Sequence, residues 1–176
     1  MATLTVTRQQ EIDEKVDKIR RETGLSYPKD NLLDIAEKLG VKVYYLDLSE
    51  FSKSNKGVNG IIKWSEKPEE ESKAEIYINN DYSSERKRFT LAHELGHFIL
   101  HPNEEKLRVD TYDYSKGTQD SSDETEANYF AASLLMPRDE FENVLKVADG
   151  DVKTVAKYFG VSSHAAETRL QWIQTN

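Results

Sequence analysis

The sequence predicts an α+β fold: a small three-stranded sheet packed on helices, followed by a helical C-terminal segment. Three observations predict it. Apolar residues recur at helical spacing over residues 8–39, alternate with a period of two between residues 41 and 79, and return to helical spacing from about residue 84.

Residues 8–22 set Ile12, Val16 and Ile19 among charged neighbours, an amphipathic helix ending at Gly24. After Pro28, residues 31–39 carry Leu32, Ile35, Ala36 and Leu39, and Gly40 closes this second helix as the residue just past its end. From Val41, Val43 and Tyr45 the period becomes two. Residues 58–64 and 74–79 keep it, giving three strands, with an acidic turn over 65–73. Asp81, Ser83 and Ser84 offer cap oxygens to a helix that Pro102 ends. Residues 103–121, polar and containing Tyr112, Tyr114 and Gly117, read as a loop beside whatever site that helix carries. Residues 122–136 read as a helix stopped by Pro137. Three short helices follow over 139–147, 151–159 and 163–173, separated by Gly150 and Gly160. This divides the chain into a core over 1–137 and a helix-turn-helix-like appendage over 138–176.

Charge and composition narrow the function classes. Against 32 acidic residues stand 24 basic ones, a net charge of −8, so there is no general attraction to nucleic acid. Cysteine is absent, which excludes disulfides and thiolate metal sites and fits the cytoplasm. No apolar run reaches membrane-spanning length, and the N-terminal MATLTVTRQQEIDEK lacks a hydrophobic signal core, so neither a membrane nor export is expected. A protein partner or substrate is the expectation that remains.

The run His93-Glu94-Leu95-Gly96-His97 carries the chemistry. Four residues of helix turn the chain by about 400°, so both imidazoles project from nearly one side, one turn apart. Two neutral imidazole nitrogens converging there suit Zn²⁺. Glu94 lies close enough in angle to reach a water at the metal without being a ligand. The H-E-x-x-H spacing is a metalloprotease signature. Phe89, Ala92, His93, Gly96, Ile99 and Leu100 follow the rhythm of a core-facing stripe. Buried imidazoles and a carboxylate without a common partner would carry a heavy desolvation cost.

A catalytic zinc site needs a third protein ligand, with His101, Glu124, Glu126 and His164 as candidates. His101 stands about 80° further round the helix than His93 and two turns along, which suits a supporting or structural role. The three-histidine variant of the signature requires glycine and histidine where this chain has Leu100 and Asn103. Glu124 is favoured, although Ser121 and Glu124 also spell a capping box. Glu124, Ala127, Asn128, Ala131 and Leu135 point within about 60° of one direction, and the two alanines permit close helix approach. Asn128 is placed to hydrogen-bond a ligand from behind. Glu126 points about 160° away from Glu124 on the same wheel.

With Ala92-His93-Glu94-Leu95-Gly96-His97-Phe98-Ile99-Leu100-His101 and the block from Glu124 to Pro137, E-x-x-A-N-x-F-A-A-x-L-L-M-P, the chain resembles the ImmA/IrrE family of metallopeptidases. The resemblance extends to Tyr27-Pro28, to residues 35–41, and to Val161-Ser162 and Arg169-Leu170. It implies a zincin-like core of gluzincin type, with His93, His97 and Glu124 as zinc ligands and Glu94 as catalytic base. It further implies a compact ImmA-like anti-repressor of a phage or mobile element, cleaving a helix-turn-helix repressor. The alternative is a non-catalytic zinc protein that displaces a repressor or serves as the toxin of a toxin–antitoxin pair. Direct DNA binding through residues 163–173 is not expected, because that helix holds one arginine and no lysine. Tyr82, Tyr112, Tyr114 and His164 are candidates for a second oxyanion donor. Residues 61–64 or 75–79 are expected to offer an exposed strand edge to substrate backbone.

Overall fold

The computed structural model describes residues 4–24, 31–51, 57–67, 72–102, 107–110 and 122–175. Tyr27, Pro28, Asn103, Tyr112, Tyr114, Gly117 and Ser121 lie outside them. The first helix, α1 (Val6–Thr23), starts where the Thr5 hydroxyl accepts the Arg8 amide and stops at Gly24, whose φ of 66° suits glycine. Its buried face is Ile12, Val16 and Ile19. Each such side chain contributes about 1.5–3 kcal/mol by leaving water. Helix α2 (Leu32–Lys38) is capped by Asn31 and packs Leu32, Ile35 and Ala36 into the same core.

The strands are β1 (Val41–Leu46), β2 (Gly60–Trp64), β3 (Ala74–Asn79) and β4 (Leu107–Asp110). The expected α+β class holds, but among the described residues the sheet has four strands, not three. The fourth lies inside the stretch read as loop, because four residues are too few for alternation to show. The order is β1-β3-β2-β4, with β1 parallel to β3 and both other pairs antiparallel. Strands β2 and β3 are therefore interior. The edge expected at residues 61–64 or 75–79 is corrected to β1 and β4, since each of the other two already has a partner on both sides. Ile62 sits opposite Ile76 and both are fully buried, marking the face turned to the core. In the same register Ile62 opposes Arg108 and Gly60 opposes Asp110, so Arg108 and Asp110 share that inward face.

Helix α3 (Ser84–Leu100) crosses the inward face, its first turn capped by the Ser83 hydroxyl accepting the Arg86 amide. Every residue from Thr90 to His97 is buried. The expected one-sided stripe is wrong in this stretch. Sheet, α4 and neighbouring helices cover the helix all round, while Phe89, Ile99 and Leu100 at its flanks are only partly covered. Helix α4 (Ser122–Leu135) lies against α3, and α5 (Arg138–Val147), α6 (Val152–Phe159) and α7 (Ser163–Gln174) complete the chain. Phe141, Phe159, Ala166 and Ile173 from these last helices belong to the same apolar cluster as Ile12 and Leu95. Arg169 is buried and donates from Nε to the Met136 carbonyl, which withdraws the one arginine of α7 from the surface. No helix among the described residues is long and apolar enough to cross a membrane.

Candidate metal centre

Two packing details bring the site together. Gly96 lets α3 and α4 touch: a Cβ there would stand 3.1 Å from the Ala127 Cα and 3.1 Å from the Phe130 ring. That approach carries Glu124, one turn before Ala127, to the two histidines. On the other side, a Cβ on Gly60 would stand 2.9 Å from Glu94 Oε1, so the start of β2 leaves room for that carboxylate.

The Nε2 atoms of His93 and His97 face each other at 3.1 Å. Glu124 Oε2 is 3.3 Å from the first and Glu124 Oε1 3.4 Å from the second. A tetrahedral ion with bonds of 2.0–2.1 Å spaces its ligand atoms by about 3.3 Å. The three donors therefore stand at the separations a zinc-sized ion imposes, and they form the His/Glu group suited to a metal among the described residues. The donor set fits.

Each ring is also held from behind. His93 Nδ1 lies 2.9 Å from Asn128 Oδ1. His97 Nδ1 lies 3.1 Å from His101 Nδ1, and His101 Nε2 lies 3.1 Å from Glu126 Oε2. Asn128 and His101 thus stand behind the His93 and His97 rings, on the side away from Glu124. Tyr82 lies against the Arg86 guanidinium, 3.8 Å from ring centre to Cζ, and His164 is exposed on α7.

Electrostatics separate the four titrating groups. Burial pushes His93 down, but the Glu124 hydrogen bond and the charges of Asp110, Glu124 and Glu94 outweigh it, raising its pKa to about 9. Burial lowers His97 to about 4, helped by the charges of His93 and Arg108. Burial raises Glu94, and the Asp110 charge adds to it. Burial also opposes the charge of Glu124, yet the His93 and His97 imidazoles beside it hold its pKa far below the carboxylate range. Both Glu94 oxygens are buried and without a hydrogen-bond partner among the described residues. Such a carboxyl awaits a proton or a polar visitor.

Residues 36–171 match the IrrE N-terminal-like domain. The chain belongs to this family. Relatives of the IrrE N-terminal-like domain include the radiation response metalloproteases IrrE of Deinococcus deserti and Deinococcus radiodurans. The first is 39% identical over 71 residues, covering 40% of this chain and 25% of the relative. The second is 40% identical over 72 residues, covering 40% and 22%. The metallopeptidase ImmA of Bacillus subtilis is 31% identical over 99 residues, 56% of either chain. This chain thus matches about a quarter of the IrrE proteins and just over half of ImmA. A Mycobacterium tuberculosis transcriptional regulator shares the fold, with a TM-score of 0.60 at 17% identity over 94% of this chain and 49% of that one.

Several neighbours of the site escaped the sequence reading. Arg108 donates from Nη2 to Glu124 Oε1. Asp110 is buried and accepts from Asn59 Nδ2 at 3.2 Å, while Arg86 donates to the Asn59 oxygen at 2.6 Å. Glu126, set aside because it points away from Glu124, reaches His101 instead. Arg108 and Asp110 sit in the strand that was missed. Glu126 was legible only as a third acidic residue at the start of a helix otherwise free of charge.

Proposed function

We propose that this chain is a zinc-dependent endopeptidase that inactivates a helix-turn-helix repressor in the cytoplasm, the ImmA-like role. The observation that carries this reading is the convergence of the His93 and His97 Nε2 atoms on both oxygens of Glu124, beside a buried Glu94 carboxyl. His93, His97 and Glu124 would hold the ion. When bound, zinc lowers the pKa of a water and polarises a carbonyl. Glu94 takes the proton of the attacking water and passes it to the leaving amine, a task suited to a carboxyl whose pKa burial has raised. Gly60 leaves that carboxyl room against β2. Edge strand β4, whose inward face carries Arg108 and Asp110, offers its open side to an extended substrate backbone. In this reading residues 1–137 form the hydrolytic unit, and residues 138–176 form a helical unit for docking protein, not DNA.

The test is incubation of the purified chain with a candidate repressor, with and without chelator, followed by mass spectrometry of the products. Cleavage that chelation stops and zinc restores is the expected result. Tight binding without new termini would overturn the enzymatic reading and leave a zinc-containing displacer.

A further inference from the structure

We infer that helix α1 is a working part of the metal centre, with Arg8 and Glu126 acting as positioning residues on His97 through His101. The inference rests on the zinc reading above and goes beyond it, since α1 precedes the stretch that matches the family.

The chain of contacts is continuous. Arg8 donates to Glu126 with two nitrogens, Nε to Oε1 at 3.0 Å and Nη2 to Oε2 at 2.6 Å. Glu126 Oε2 stands 3.1 Å from His101 Nε2, and His101 Nδ1 stands 3.1 Å from His97 Nδ1. Asp123 adds a second carboxylate 3.7 Å from His101 Nε2. His97 and His101 are buried and the Glu126 side chain is 11% exposed, so bulk water scarcely competes for the bonds among these three, while Arg8 and Asp123 are more open.

The proton directions follow from the two ends. A carboxylate clamped by a guanidinium is an acceptor, so His101 must present Nε2–H to it. A neutral His101 then carries its lone pair on Nδ1, so in the bond at 3.1 Å His97 supplies Nδ1–H. That leaves the lone pair of His97 on Nε2, the atom facing His93 and Glu124. An isolated imidazole in water favours the opposite tautomer, with hydrogen on Nε2, which cannot ligate through that atom. The relay from Arg8 selects the ligating form before any ion arrives.

Asp13 provides the control. It also ties α1 to α4, accepting from the Tyr129 hydroxyl at 2.9 Å and the Ser133 hydroxyl at 2.6 Å, without touching the relay. Arg8→Ala, Arg8→Lys, Glu126→Gln and Asp13→Ala variants are compared by zinc affinity, through competition with a chromophoric chelator. Nitrogen-15 spectra of histidine-labelled protein report the His97 tautomer. Arg8→Ala and Glu126→Gln should each weaken zinc by about tenfold or more and turn the single Nδ1–H signal of His97 into a mixture. Arg8→Lys, which keeps the charge without the fork, should show a smaller loss of the same kind, and decides the matter if Arg8→Ala does not fold. Asp13→Ala should keep zinc affinity and the His97 signal while lowering thermal stability. Unchanged zinc affinity in both Arg8 variants would overturn the inference, as would an Asp13→Ala loss equal to that of Arg8→Ala. A wild-type chain with no zinc affinity would instead sink the zinc reading beneath it.

Discussion

Gly60 faces Glu94 so closely that a methyl group on it would stand 2.9 Å from Oε1 and 3.0 Å from the Thr90 Cγ2. The carboxylate end is the movable partner, so the added methyl displaces Glu94 before it disturbs the sheet. Gly60→Ala should therefore lower peptidase turnover by about 10²-fold, the effect of misplacing a reacting group by roughly an ångström, while zinc content stays at the wild-type level. Elemental analysis and a peptide-cleavage assay together check this. Zinc loss in the variant would contradict it.

Glu94→Gln isolates the proton carrier. The amide nearly keeps size and shape but cannot accept the water's proton, so cleavage should fall by about 10²–10⁴-fold with metal retained. Persistent cleavage at the wild-type rate would remove Glu94 from the reaction.

Protons and metal compete at His93. Burial opposes its protonation, but Glu124 and the neighbouring carboxylates raise its pKa from 6.5 to about 9. A protonated ring has no lone pair to give, so the ion must displace one proton. His97, lowered to about 4, is already neutral in this range. Apparent zinc affinity should rise by about tenfold per pH unit from neutrality toward pH 9 and level off above it. The metal-free protein should run the other way. The contribution of a raised His93 is complete below pH 6.5 and fades as the pH climbs through 9. Chelator competition and thermal melts across that range measure both trends, and a flat affinity profile would exclude proton displacement.

Gly96→Val probes the helix contact. Its first added carbon meets backbone, 3.1 Å from the Ala127 Cα and 3.2 Å from the Ala127 oxygen, which cannot swing aside as a side chain would. The two helices must separate, at a cost of about 1–3 kcal/mol, carrying Glu124 away from the histidines. Lower melting temperature together with reduced metal content is the expected pair of results. Loss of stability alone would mean that Glu124 adjusts independently of this contact.

The parts of this molecule that repeat were legible in its sequence. Helix spacing placed α1 through α7 within a residue or two, and the i, i+4 pairing of His93 and His97 located the centre of the site. Ala127 and Ala131 announced the close approach of α4, and with it Glu124. What stayed hidden depends on partners distant in the chain. Strand β4 is four residues long and owes its pairing to β2, nearly fifty residues earlier. Arg108 and Asp110 were concealed with it. The role of Glu126 required knowing that Arg8, 118 positions away, would arrive beside it. The burial of α3 on every side, against the predicted single stripe, arises from the same long-range stacking of sheet and helices.

The position of α1 bears on how shorter versions of the protein would behave. Trimming to the family-matched stretch, residues 36–171, would strip Ile12, Val16 and Ile19 from the interior and the Arg8 anchor from Glu126. A fragment chosen by homology alone would expose greasy surface and sag at its candidate metal centre, and any weakness in its assays would be blamed on the wrong end of the polypeptide.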